Sequence, residues 1–176
     1  ISGGTLNLSS NKDAIDVDKA IVVDGATITS LICADGFKGE SVTVKSGTVT
    51  IKASQDGLKA IEETGDTVVD TSSVVVDDNH VCFINIVGGT LKLDVEDNAL
   101  DSKGNIQIIG GEVEIVGSSL GSKPLNYNGK AIVTNAKVTA VGLKEKAVNF
   151  TNSLQKTILI SLDEVVSAGT KISIKN

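Results

Sequence analysis

Two columns of polar residues recur along the chain at a near-constant interval. Asp13, Asp35, Asp56, Asn79 and Asn98 follow one another at steps near 22 residues. Three positions further on stand Asp16, Lys38, Lys59, Cys82, Asp101 and Asn126. If each interval is one turn of a coil, successive copies lie about 4.8 Å apart, the spacing of paired strands. Stacked Asp and Asn side chains, with turn carbonyls beside them, can supply the roughly six to eight oxygens that calcium takes. The expected metal ligands are Asp97, Asn98 and Asp101 in one group and Asp13 with Asp16 in another, with Asp35 and Asp56 between them. Asp77, Asp78 and Asn79 form a third group. The same column has a purely local explanation, because turns favour Asp and Asn for their own hydrogen bonding. Lys38 and Lys59 can hold sugar carboxylates as point charges, although Lys beside Asp is also an ordinary solvated face. Tyr127 is the one aromatic expected to offer a stacking surface.

Catalytic constellations are scarce. His80 is the only histidine, and no nucleophile motif surrounds it. A polysaccharide lyase needs an unprotonated base to take the proton beside a uronate carboxylate. Arginine is absent, which leaves Lys38, Lys59 or Lys103 for that role. Stacked Asp residues are too numerous and too alike to single out a glycosidase pair. No catalytic residue is expected, with polysaccharide lyase activity as the enzymatic alternative.

The elements that must position these columns follow from internal repeats. One phrase is Gly-Thr followed by apolar–polar–apolar: Gly4 to Leu8, Gly47 to Ile51 and Gly89 to Leu93, with Gly111 to Ile115 as a variant. Strict alternation means a short strand with one buried face. The second phrase is polar–small–apolar–polar: Asp13 to Asp16, Asp35 to Lys38, Asp56 to Lys59 and Asn98 to Asp101. Looser copies run Asn79 to Cys82, Lys123 to Asn126 and Lys146 to Asn149. Between the phrases lies a further strand, as in Lys19 to Val23, Ser41 to Val44, Asn105 to Ile109 and Lys130 to Val133. The period is too short for paired-helix repeats, and no segment shows helical periodicity. These features predict an all-β parallel β-helix of about seven coils, right-handed by the crossover rule. Ile15, Phe37, Leu58, Val81, Leu100, Leu125 and Val148 should stack inside it. The helix is expected over residues 1–150. Residues 151–176 should form a strand pair that caps the open end, part of that cap lying beyond Asn176. Its arms would be Ile158 to Leu162 and Ile172 to Ile174.

These phrases resemble a known family. NALDSKGNIQIIGG (98–111), SGTVTIKASQDGLKA (46–60) and SAGTKISIKN (167–176) are similar to bacterial carbohydrate-binding β-helix domains. The resemblance covers nearly the whole chain. It implies secretion or display at the cell surface, a fold related to pectate lyases, and binding of cellulose or acidic plant sugars with calcium. The chain departs from the family pattern at Asn126 and Asn128, where Asp is usual, and at Lys38 and Lys59, where His is usual. Fewer carboxylates imply fewer metal sites.

Composition narrows the remaining classes. The net charge of −6 argues against nucleic acid, whose phosphates call for a basic face. No apolar run approaches the roughly 18 residues of a membrane span. Aromatics are 2% of residues, and Met and Trp are absent, so the core must be aliphatic. Cys33 and Cys82 are expected to remain buried free thiols. The sequence thus points to a non-catalytic, calcium-dependent polysaccharide binder, monomeric or part of a larger surface protein. A β-helix stalk or adhesin without a ligand is the structural alternative.

Overall fold

The computed structural model describes residues 1–62, 82–117, 121–162, 167 and 169–171. Among these residues fifteen strands wind into a parallel solenoid of about five turns. The Gly-Thr phrases form one stack: β1 (Thr5–Leu8), the second half of β3 (Ala20–Ser30), the second half of β5 (Ser41–Ala53), β8 (Thr90–Val95), β11 (Glu112–Gly117) and β14 (Lys137–Val141). In register, Leu6 pairs with Ile28, Ile28 with Val49, Val49 with Leu91, and Leu91 with Val113. The polar–small–apolar–polar phrases form a separate five-stranded sheet of β2 (Ile15–Asp16), β4 (Phe37–Gly39), β6 (Leu58–Ala60), β9 (Asn98–Ser102) and β12 (Lys123–Tyr127). The third stack holds the first halves of β3 and β5, then β7 (Phe83–Ile86), β10 (Asn105–Ile108), β13 (Ala131–Val133) and β15 (Asn152–Ser153). Because β3 and β5 run unbroken around a corner, the first and third stacks are hydrogen-bonded as one bent ten-stranded sheet.

That corner explains the recurrent glycine. Gly47, Gly89 and Gly111 have φ of 99°, 82° and 81°, a region only glycine enters without strain. They also stack directly: a Cβ on Gly89 would lie 2.6 Å from the Gly47 carbonyl oxygen, and one on Gly111 2.6 Å from that of Gly89.

Inside, apolar side chains of equal phase lie on one another. Phe37, Leu58 and Leu100 are each fully buried, in the register Ile15–Phe37–Leu58–Leu100–Leu125. Leu6 and Ile15 in the first coil and Val138 towards the other end are only partly covered, because a solenoid buries each layer with its neighbours.

Three expectations need correction. The stack has about five turns, not seven, since Leu58 pairs directly with Leu100. Of the phrase Asn79 to Cys82 only Cys82 is described. Cys82 instead leads into β7, a strand not expected from sequence, and so leaves the Lys38–Lys59 column; residues 79–81 lie outside the described residues. Lys144–Lys146 is a 3-10 turn, and Lys146 to Asn149 carries no strand. Alternation at Ile158, Ile160 and Leu162 does not make a strand either; these side chains are exposed. Alternation yields a strand only where a neighbouring edge takes up the backbone hydrogen bonds, and the last parallel pairing is Val133 with Ser153. The second expected arm, Ile172 to Ile174, lies outside the described residues, as does His80. Cys33 and Cys82 are free and buried, and burial is the main force pushing the Cys82 thiol up to about 11.

Candidate functional site: the acidic ladder

The turn before each strand of the five-stranded sheet carries the first polar column. There the carboxylates replace carbonyls as backbone acceptors. The N–H of Asp35 donates to Asp13 Oδ1 at 3.1 Å, that of Asp56 to Asp35 Oδ1 at 3.0 Å, and that of Asn98 to Asp56 Oδ1 at 2.9 Å. Asn98 Nδ2 donates to the same Asp56 oxygen at 2.9 Å. A buried N–H without an acceptor is destabilising, which is why Asp recurs at this turn. Asp13, Asp35, Asp56 and Asn98 are thus brought into one ladder; Asp56 meets Asn98 directly, 42 residues on, where the spacing predicts Asn79 between them.

In the adjacent column Asp16, Lys38, Lys59, Asp101 and Asn126 are in register. Lys59 Nζ lies 3.0 Å from Asp35 Oδ2 and 2.7 Å from Asp56 Oδ2, and both carboxylates are almost fully buried. Burial alone would push the Lys59 ammonium down. The hydrogen bonds and charges of Asp56 and Asp35 outweigh it and raise its pKa above the usual lysine range. A lysine held in this way is a poor base. Lys38 lies 3.4 Å from Asp16 Oδ2 on a more exposed rung.

Beyond Lys59 the column changes sign. Asp101 is buried, and its Oδ1 accepts Asn126 Nδ2 at 2.6 Å. The Asp97 carboxyl is pushed up, first by partial burial and then by the charges of Asp56 and Asp101, with Lys59 and Lys123 pulling the other way. Neither Asp97 nor Asp101 has an ion pair among the described residues. Tyr127 shares the inward parity of Leu125 and packs against the core, on the face opposite Asn126. Its Oη donates to the Asn149 carbonyl at 3.1 Å and accepts from Thr151 Oγ1 at 3.2 Å. Tyr127 is therefore not brought to the Lys38–Lys59 face.

These oxygen donors fit a hard cation, although among the described residues no three His, Cys, Asp or Glu side chains are grouped to hold a metal. A cation there would be held by the Asp97 and Asp101 carboxylates and water, since Asn126 Oδ1 already accepts from Lys123 Nζ at 3.4 Å and Lys59 is held by Asp35 and Asp56.

Sequence reasoning missed a groove of about 340 Å³ at the opposite end of the turns, where Leu31 and Ile32 stand out into solvent. They open the apolar run Leu31-Ile32-Cys33-Ala34, which gave no signal that the first two leave the core.

Among the described residues no helix is long and apolar enough to cross a membrane. No curated protein matches the chain. Among solved structures, a polysaccharide lyase-like protein from C. thermocellum, determined as a gadolinium derivative, aligns at 24% identity and a TM-score of 0.46 over 82% of this chain. The chain spans about half of that protein, 49% of its length. The model of one family, described as carbohydrate-binding domain-containing protein, matches residues 1–176, and the chain belongs to that family.

Proposed function

We propose that the five-stranded sheet binds an acidic polysaccharide without cleaving it, calcium bridging the carboxylates of protein and polymer. The carrying observation is the distribution of charge along one column. Lys59 is spent on Asp35 and Asp56, whereas Asp97 and Asp101 lack an ion pair among the described residues. A bound cation would offset that local negative charge and leave coordination positions for sugar carboxylates. The overall charge of −6 otherwise repels such a polymer. A secreted or cell-surface location goes with this reading.

The test is retention on polygalacturonate with calcium and with chelator, alongside the melting temperature in both. Calcium at a hundredfold excess over Kd stabilises by about 2.7 kcal/mol if it binds only the folded chain. Retention and stabilisation should both fall in Asp101→Ala. Retention that ignores calcium would refute bridging, and no retention at all would favour a ligand-free stalk. Release of unsaturated sugar, seen as new ultraviolet absorbance, would make the chain a lyase.

A further inference from the structure

The Gly-Thr stack ends in a strand with one edge unused. Among the described residues β14 pairs with β11 alone. Beside that edge lies a cavity of about 380 Å³, lined by Val138 and Ala140 of β14 and by Ile158, Leu159 and Ile160. These last three stand in solvent, 70%, 66% and 48% exposed. A single apolar side chain on a surface needs no explanation, whereas a run of three beside an unpaired strand edge does.

The earlier coils say where that run belongs. The register set in the third stack passes unchanged around the corner into the Gly-Thr stack. Ser41 meets Phe83, and Thr48 meets Thr90, each 42 residues on. Asn105 follows Phe83, and Glu112 follows Thr90, by 22. Ala131 follows Ile106, and Lys137 follows Glu112, by 25. The last pairing of the third stack, Val133 with Ser153, has an interval of 20. Carried around the same corner, that interval sets Ile158 on Val138 and Ile160 on Ala140. Val138 and Ala140 themselves pair with Val113 and Ile115, both buried. The two isoleucines would therefore extend the inward columns by one layer.

The chain leaves the pattern at the corner itself. Earlier coils turn there on a glycine at positive φ, and the coil before this one on Asn135 at φ 51°. Residues 154–157 are Leu, Gln, Lys and Thr, none of which enters that region without strain. The Gln155 side chain stands in for a backbone amide instead. Its Nε2 donates to the Ala136 carbonyl at 2.8 Å, and its Oε1 accepts the Ala136 N–H at 3.1 Å. Thr157 is drawn aside, its Oγ1 donating to Asn149 Oδ1 at 3.4 Å. Two opposed forces meet here: burial of Ile158 and Ile160 favours docking on β14, and the corner resists it.

We propose that residues 157–161 are a strap that docks in parallel on the free edge of β14, so that this end of the solenoid alternates between an open and a closed state. Closing fills the cavity and pairs an edge that otherwise invites other chains. The strap acts independently of any carbohydrate. The experiment is register-specific cross-linking in the full chain. Thr139→Cys/Leu159→Cys joins two outward-facing partners of the closed state, about 4.8 Å apart and within the reach of a disulfide. Thr139→Cys/Ser161→Cys sets the second thiol two residues further along, about 7–8 Å away, beyond that reach. Cys33 and Cys82 are buried and leave the oxidation to the new pair. Mild oxidation should close the 139/159 bridge within one chain, read by mass spectrometry, about tenfold or more faster than the 139/161 bridge. Gln155→Gly removes the amide contact and supplies a corner glycine. It should speed the 139/159 bridge about fivefold and leave the 139/161 pair slow. The melting temperature of each variant reports its folding. Equal rates in the two pairs, or no 139/159 bridge in either background, would overturn the strap. A bridge formed only between two chains would do the same, because the edge would then take a second copy. An unchanged rate in Gln155→Gly also counts against it, because the corner would not be what holds the strap off.

Discussion

Lys59 and Asp101 occupy the same place in consecutive coils, paired in register, yet they carry opposite charge. At the Lys59 rung the ammonium sits between two buried carboxylates and closes the electrostatics locally. At the Asp101 rung the partner is a neutral amide from Asn126, whose own oxygen accepts from Lys123, and the Asp97 carboxyl is pushed up by partial burial and by the charges of Asp56 and Asp101, against the pull of Lys59 and Lys123. The backbone is the same in both. The difference teaches that the solenoid fixes where a side chain stands, while its neighbours one coil away decide whether it is structural or available to a ligand.

The most disruptive way to break the comparison is Lys59→Met. It strands Asp35 and Asp56 as buried charges without a cation, and unpairing a buried ion costs about 3–5 kcal/mol. Chemical denaturation should show the loss. Adding Asp35→Asn and Asp56→Asn should recover much of it, since an amide oxygen still accepts the backbone N–H. A triple variant no more stable than the single would mean that Lys59 acts by packing alone.

The pH dependence separates the same two rungs. The folded-state pKa of Lys59 is raised, so its stabilisation is complete below the unfolded lysine value of about 10.4 and is lost as pH rises through the folded value. Stability of the parent should therefore fall in strong alkali, and the triple variant should be flatter there. A matching fall in the triple variant would assign the effect to other lysines.

Asp101→Ala is expected to be milder, about 1 kcal/mol in chelator, the worth of one hydrogen bond. A loss as large as that of Lys59→Met would show that the Asp101 rung is structural too. The smallest effect belongs to Asp97→Asn. The Asp97 pKa is raised, so its protonated form is favoured by the fold and its ionised form disfavours folding once pH exceeds the carboxylate range. The variant should gain slightly in melting temperature at neutral pH in chelator. That gain should vanish in acid, where Asp97 of the parent is already protonated.

Much of this ladder was legible before the structure. Asp13, Asp35 and Asp56 stack as their spacing says, because a period of about 22 residues is a covalent fact and a coil must return each copy to one phase; Asn98 joins them across 42 residues instead. What spacing could not show is that Lys59 reaches back to Asp35 as well as to its own Asp56. Cys82 misled for a related reason. A loose copy of a four-residue phrase is cheap by chance, and only strand pairing shows that Leu58 meets Leu100 across it. Tyr127 read as a platform, whereas its parity with Leu125 turns it to the core.

By itself the sequence determined the parallel coil, the phase of its aliphatic core and the corner glycines. Each follows from local rules, strand alternation and positive φ, repeated at a fixed interval. Only the tertiary structure decided how many coils there are, which carboxylates are neutralised, and that Leu31 and Ile32 face water. Those depend on which coil lies next to which, and on where a strand stops, and neither is written in any one repeat.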